Sequence, residues 1–239
     1  MIRPPIDHLM QAQTDALGRM AILCDFDDTT ADRNVATLLL SAFAGEQLAG
    51  ELPGWQVIRQ RFLDSEISLA EYQENAFARL NATRGEQTAY VQANADLRPG
   101  FRSLAEYCAL NGIALAIVSH GLDYYVRALL EKEDLGHIPV FAVDTEVSET
   151  GEQTYSYKYA HAECRWNPGN CKCSLVEEYR ERGHSVIYAG DGTSDTCPAG
   201  KADFVFARDS LLIFCQDQEI PHRELTDFTV LLDYLEQRD

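Results

Sequence analysis

Ile22-Leu23-Cys24-Asp25-Phe26-Asp27-Asp28-Thr29-Thr30 is the stretch on which the reading of the whole chain turns. The apolar run from Met20 to Cys24 is too short for a helix and reads as a buried strand. It stops abruptly in a cluster of carboxylates. In an open parallel sheet, the turn beyond a strand's C-terminal end is where ligands bind. Asp25, Asp27 and Asp28 fall within four residues and repel one another unless something positive holds them. A hard divalent cation such as Mg²⁺ takes oxygen ligands and meets that need. The plain alternative is an acidic turn after an ordinary strand, and the polar clusters later in the chain weigh against it.

Beyond Ala31 the pattern changes. Leu38, Leu39, Leu40, Phe43, Ile58, Phe62, Leu63, Ile67, Leu69, Tyr72, Phe77 and Leu80 recur at spacings of three and four. That period predicts several amphipathic helices with no strand between them, broken near Pro53-Gly54 and Thr83-Arg84-Gly85. Arg98-Pro99-Gly100 closes the block. Residues 31–97 therefore read as a helical insertion, and residues 1–30 with 98–239 as one α/β core. Within the core, short buried runs alternate with helical periods. Ile113–Val118, Ile138–Val143, Val186–Ala189 and Phe204–Ala207 read as strands. Phe101–Leu110, Leu122–Leu130, Ser174–Arg182 and Val230–Leu235 read as helices, Val147–Tyr159 suits a hairpin, and residues 1–19 read as a short helix or lead-in. Such alternation implies a Rossmann-like, doubly wound parallel sheet.

Length and charge narrow the function classes. The 239 residues carry a net charge of −18 with only four lysines, which argues against nucleic acid or an anionic membrane surface as partner. A small anionic substrate stays compatible if positive charge gathers locally. No run approaches membrane-spanning length, and Met1–Pro5 lacks the apolar core of a secretory signal, so the cytoplasm is the expected compartment. Seven scattered cysteines then read as reduced thiols.

Three polar clusters each end a predicted strand: Asp25 with Asp27, Ser119, and Asp191 with Asp195. Parallel strands lying side by side would bring these ends together, and Lys172 opens the helix before the fourth strand. Two carboxylate clusters, a hydroxyl followed by glycine, and a lysine suit a phosphate together with a divalent metal. One carboxylate that the metal does not fully hold can attack phosphorus.

These motifs resemble those of the haloacid dehalogenase superfamily of phosphatases. The Asp-x-Asp-x-Thr motif is matched by Asp25, Asp27 and Thr29, the second motif by Ser119, the third by Lys172, and Gly-Asp-Gly-x-x-Asp by Gly190 to Asp195. The helical insertion resembles the C1-type cap of that superfamily. The resemblance implies a Mg²⁺-dependent phosphomonoesterase working through an aspartyl-phosphate on a small phosphorylated metabolite. It implies Asp25 as nucleophile and metal ligand, and Asp27 as general acid and base with its backbone carbonyl on the metal. Asp191 would complete the metal site, with Asp195 supporting Asp191 or Lys172 from behind. Ser119, the Gly121 backbone, Lys172 and Thr29 would hold the phosphoryl group. Asn170–Ser174, Phe206–Leu212 and Arg98–Phe101 are similar to segments of the methionine-salvage branch, which acts on an enol phosphate.

Two departures stand out. Asp28 occupies a position where relatives often have Gly. Asn34, preceded by Arg33, stands where phosphoserine phosphatases usually place the Glu that holds the substrate ammonium. A phosphoserine-type phosphatase, a phosphotransferase and a non-catalytic phosphometabolite-binding module remain the alternatives. His161, Cys164, Cys171 and Cys173 form a candidate zinc set, weighed against plain thiols lining a loop. His120 either faces the phosphate or caps the following helix. Arg33, Arg59 and Arg61 are candidate substrate contacts or solvated helix faces. Trp55 and Tyr72 line a cap pocket or belong to the core. Arg208 and Asp209 are expected to pair structurally, and an exposed cap face would support a homodimer.

Overall fold

The computed structural model describes residues 19–45, 54–147 and 153–237. The expected lead-in over 1–19 falls almost wholly outside them, as does Pro53 of the first predicted helix break. In chain order the elements are β1 (Met20–Cys24), α1 (Val35–Phe43), α2 (Gly54–Leu63), α3 (Leu69–Phe77), α4 (Arg84–Asn94), α5 (Phe101–Asn111), β2 (Ala114–Leu122), α6 (Asp123–Lys132), β3 (Val140–Val147), β4 (Gln153–Ser156), α7 (Lys172–Glu181), β5 (Ser185–Gly190), α8 (Thr196–Ala199), β6 (Phe204–Ala207), α9 (Asp209–Asp217), β7 (His222–Glu224) and α10 (Phe228–Glu236).

The strands form one sheet in the order β4-β3-β2-β1-β5-β6-β7, parallel except for β4, which pairs antiparallel with β3 as a hairpin. This is the doubly wound α/β fold that the alternation predicts. β1 lies in the middle, with β2 on one side and β5 on the other, so its C-terminal end is the point where strand order reverses. Alternate residues of β1 face opposite layers. Ile22 and Cys24 pack with Leu104 of α5, Val126 of α6 and Phe228 of α10. Ala21 and Leu23 pack with Leu175 and Val176 of α7. Both faces of β1 are therefore buried, which is why it reads as a continuous apolar run rather than an alternating one. Burying Ile22 and Leu23 contributes about 2 kcal/mol each.

The block between β1 and α5 contains α1 to α4 and no named strand among its described residues. Its helix starts follow from capping chemistry. The Asn34 side chain accepts from the Thr37 N–H at the start of α1. Ser68 with Glu71, and Thr83 with Glu86, form reciprocal capping boxes at the starts of α3 and α4. The stretch Thr83-Arg84-Gly85 is thus a helix start. Where the chain leaves the sheet and returns, Ala31 and Leu97 form an isolated antiparallel bridge. The Arg98 N–H donates to Thr30 O at 2.8 Å, and the Asp32 N–H to Asp96 O at 2.9 Å.

Two strands differ from the predicted ones. β2 runs on through Ser119, His120 and Gly121 to Leu122, and its register against β3 shifts between Val118 and Leu122. Ser119 to Gly121 therefore sit in an irregular stretch of the strand, and such irregularities re-aim side chains. β3 starts at Val140 and continues to Val147, because its far half pairs with β4. The expectation of seven reduced thiols is also corrected: Cys173 and Cys197 are disulfide-bonded.

The turn after β1 is held from below by one guanidinium. Arg98 donates through Nε to Thr29 O at 2.7 Å and through Nη2 to Asp28 O at 2.6 Å, and it also reaches Ala31 O. Asp28 takes φ 61°, a left-handed conformation that costs a non-glycine residue about 1 kcal/mol. Glycine would adopt this conformation without that cost. The three carbonyl contacts over-determine the turn and offset that strain. Arg98→Met should lower the unfolding free energy by about 2 kcal/mol, read as a lower urea midpoint at unchanged slope; an unchanged midpoint would show that the clamp is energetically idle.

Candidate active site

Asp25 follows β1 and keeps its N–H in the sheet ladder, donating to Ala189 O at 2.8 Å. Its side chain is 7% exposed. Lys172, the first residue of α7, places Nζ 2.6 Å from Asp25 Oδ1 and 2.8 Å from Asp195 Oδ1. Burial alone would depress this ammonium, but Asp195 and Asp25 more than offset it, and the lysine is held charged above its usual range. Asp195 is fully buried with both oxygens committed. Oδ1 takes Lys172 and the Tyr188 hydroxyl, and Oδ2 takes the N–H groups of Asp191 and Gly192. Against the cost of burial, Lys172 and Tyr188 keep its carboxyl below the usual range. Gly190 permits this, since a Cβ there would lie 2.7 Å from the Asp195 carboxyl carbon.

Asp25, Asp191 and Asp195 each place a carboxylate oxygen within 4.8 Å of the others, the one three-ligand cluster among the described residues. Asp195 has no oxygen to spare, so Asp25 and Asp191 are the carboxylates open to a cation. Burial, then Asp195, push the Asp25 carboxyl up, and Lys172 only partly opposes them. Burial and Asp195 do the same to Asp191. Three carboxylates face one ammonium, so two negative charges stay unmatched. The residues present therefore fit a hard divalent cation, which would return Asp25 to its ionised form.

Asp27 lies in a different setting. Its Oδ2 accepts from the Tyr125 hydroxyl at 3.0 Å, and its Oδ1 accepts from the N–H groups of Val35 and Ala36 at the start of α1. Among the described residues, no lysine or arginine pairs with it. Burial pushes its carboxyl up to about 6 against those three hydrogen bonds. Gly121 leaves room for the arrangement: a Cβ there would meet the Tyr125 hydroxyl at 1.9 Å and Asp27 Oδ2 at 3.0 Å.

The other predicted residues are brought to the same place, with adjustments. Ser119 is buried, and its Oγ accepts from the Gly121 N–H at 2.9 Å, so the two expected phosphate contacts engage each other here. Thr29 is fully buried, and its hydroxyl donates to Asp191 Oδ1 at 2.9 Å, so in this structure it orients a carboxylate. The zinc set is not assembled: Cys173 is bonded to Cys197, and His161, Cys164 and Cys171 do not form a three-ligand cluster. Arg33 pairs with Asp32, Arg61 with Glu66, and Arg208 with Asp209 as expected. Trp55 is core, and Tyr72 stacks on Phe62 at 5.3 Å.

Above Asp25 and Asp27 is a cavity of about 330 Å³, walled by Arg59, Phe62, Leu69, His120 and Trp166 among others. Trp166 carries no signal in the sequence, for it lies in a loop without periodicity. A larger groove of about 990 Å³ lies elsewhere, between α3, α4 and the β3–β4 hairpin, and is lined by none of Asp25, Asp27, Asp191 and Asp195.

Fold and site together define a phosphoryl-handling α/β hydrolase, and comparison with known proteins agrees. Residues 22–198 match the haloacid dehalogenase-like hydrolase family, and the chain belongs to it. It is 30% identical to a 2-hydroxy-3-keto-5-methylthiopentenyl-1-phosphate phosphatase of Geobacillus kaustophilus, over 92% of this chain and 97% of that one. It is 28% identical to the protein of that name from Brevibacillus brevis, over 92% and 96% of the two chains. Among solved structures, a substrate-bound phosphoserine phosphatase superposes with a TM-score of 0.64 at 19% identity, covering 90% of this chain and 98% of that chain. A probable phosphoserine phosphatase from Vibrio cholerae superposes at 0.67 with 15% identity, covering 96% and 71%. These two likenesses concern the fold.

Lys172→Met leaves Asp25 and Asp195 as buried carboxylates without a cation. In chelator-treated protein at pH 7 it should cost about 3 kcal/mol or more. The deficit should shrink as the pH falls, because protonating the two acids removes their repulsion. Urea titrations at pH 7 and pH 5 check both statements, and a deficit independent of pH would contradict this distribution of charge.

Proposed function

We propose that the protein is a phosphomonoesterase that forms an aspartyl-phosphate on Asp25. The observation that carries this reading is the contrast between two carboxylates two residues apart. Asp25 is paired with the Lys172 ammonium, while Asp27 has no cation and holds its proton up to about pH 6. Burial and Asp195 also push the Asp25 carboxyl up, so the split into ionised nucleophile and protonated acid would be completed by a cation on Asp25. A bound Mg²⁺, held by Asp25, Asp191 and the Asp27 backbone carbonyl, would neutralise phosphoryl oxygens and keep Asp25 ionised.

In the first step an Asp25 oxygen attacks phosphorus, and the bond to the leaving oxygen breaks. Asp27 gives that oxygen its proton. In the second step ionised Asp27 takes a proton from water, whose oxygen attacks phosphorus and releases phosphate from Asp25. Lys172, the Ser119 hydroxyl and the Gly121 N–H receive the phosphoryl oxygens, the last two after giving up their mutual hydrogen bond. Asp195 and Tyr188 keep Lys172 aimed. Positioning and charge neutralisation supply most of the acceleration in such transfers.

Residues 31–97 act as a cap over a core made of 1–30 and 98–239, hinged at the Ala31–Leu97 bridge, and the cap excludes bulk water from the acyl-phosphate. The substrate is a small phosphorylated metabolite of the methionine-salvage enol-phosphate type, the class named for the relatives. A phosphoserine-type substrate is less well served, since Asn34 spends its side-chain oxygen capping α1 and offers no carboxylate to an ammonium.

Phosphate release from a panel of esters, with and without Mg²⁺, tests the reading. The panel includes the methionine-salvage enol phosphate, phosphoserine and sugar phosphates. Asp25→Asn should abolish Mg²⁺-dependent release, and Asp27→Asn should lower it by about 10² to 10⁴. Release that survives Asp25→Asn would remove the covalent step from the proposal.

The pH profile gives a further check. Asp27 must be protonated for the leaving group to depart, so kcat/KM falls as the pH rises through about 6. The Tyr125 hydroxyl favours the ionised form of Asp27. Tyr125→Phe should therefore move that limb to higher pH by about half a unit to one unit. A limb that stays put or moves down would assign it to another group.

A further inference from the structure

Two polar atoms at the wall of the reaction cavity have nothing to bond. Nε2 of His120 and Nε1 of Trp166 are both buried without a hydrogen-bond partner, and both residues line the cavity above Asp25. Their rings meet edge to face, with centroids 5.6 Å apart. Leaving such groups unpaired costs about 1 to 3 kcal/mol each, so they mark places where a partner is expected.

The chemistry of the two atoms differs. The indole N–H can only donate. The Asn170 backbone hydrogen-bonds the His120 ring, which leaves Nε2 as the unused nitrogen. Burial, with Lys172 nearby, pushes the imidazole down to about 3, so the ring is neutral and Nε2 is an acceptor. One donor and one acceptor complement a neutral oxygen function that can both accept and donate.

Next to this pair the wall is apolar. Phe62 of α2 lies 5.9 Å from Trp166, and Leu69 of α3 adds an aliphatic surface. The cap thus supplies one side of the surface and the core loop the other. Trp166 is held from behind by Arg165, whose guanidinium lies 4.4 Å from the ring centroid while its Nη2 donates to Thr193 O at 2.7 Å.

We propose that His120, Trp166 and Phe62 are specificity-determining residues that select a leaving group carrying a neutral hydroxyl or enol oxygen followed by an apolar tail. This inference rests on the phosphatase reading and specifies its substrate. His120 and Trp166 take the oxygen function, and Phe62 with the indole face takes the tail. An ammonium in place of the oxygen can donate to Nε2 but cannot accept from the Nε1 donor, which it repels, so it is disfavoured.

The test uses three synthetic alkyl phosphates with a methylthio end, differing only at carbon 2: hydroxy, deoxy and amino. The full-length protein with Mg²⁺ should prefer the hydroxy ester over the deoxy ester by about 100-fold in kcat/KM, since a site built to bond a hydroxyl leaves its own groups unpaired when the hydroxyl is absent. The amino ester should rank last. Trp166→Phe keeps a ring and removes only the N–H, and His120→Phe removes the acceptor. Each should cut the hydroxy-to-deoxy ratio by about tenfold, and Phe62→Ala should raise KM for all three esters more than it lowers kcat. A wild-type ratio near one overturns the inference even if a variant fails to fold, as does a ratio unchanged in both variants. Absence of release from every ester, the methionine-salvage enol phosphate and phosphoserine included, would overturn the phosphatase reading and this inference with it.

Discussion

One ammonium buried between two carboxylates organises this molecule. Lys172 reaches from the start of α7 to Asp25 after β1 and to Asp195 beyond β5, joining three separate segments at the C-terminal edge of the sheet. Removing charges from water is expensive, and only close, fully bonded geometry offsets that cost. The neighbourhood supplies it. Tyr188 and two backbone N–H groups saturate Asp195, and Gly190 lets that side chain fold back against the strand end. The result is rigid support around an Asp25 carboxylate that is still short of positive charge. That shortage is what makes the cluster suited to a divalent cation.

Asp27 depends on the same turn but escapes the charge network. Its oxygens are directed towards α1 and Tyr125, away from Lys172, because the backbone from Phe26 to Thr30 winds tightly and Arg98 holds its carbonyls. Separation by two residues in sequence becomes separation into two dielectric and hydrogen-bonding environments. The two carboxyls can then differ in protonation without sharing a proton.

Much of this is legible in the chain. β1, β5 and β6 are short apolar runs closed by polar residues, and that signal survives burial on both faces. The helical insertion declares itself through spacings of three and four. Asp25, Lys172 and Asp191 converge because strand ends in a parallel sheet converge. Other features leave no local trace. Asp27 and Tyr125 are 98 positions apart, and no periodicity reveals a single hydroxyl meeting a single carboxylate. Thr29 carries the right side chain for a phosphate ligand, but its burial turns the hydroxyl towards Asp191. The partner of Cys173 lies 24 residues away on α8, and spacing alone cannot choose among seven cysteines. β7, three residues long, gives no alternation to read. Trp166 sits in an irregular loop, where a large aromatic side chain offers no period to follow.

The carboxylate of Asp27 has a second occupation. By accepting from the N–H groups of Val35 and Ala36, it fastens the first helix of the insertion to the turn that follows Asp25. Oδ1 is the mechanical peg, while Oδ2 faces the Tyr125 hydroxyl. A longer acid at this position would keep a proton yet displace the helix, and a shorter polar group would free the helix and lose the proton. The protonation of this carboxyl and the seating of the helical block thus depend on one side chain.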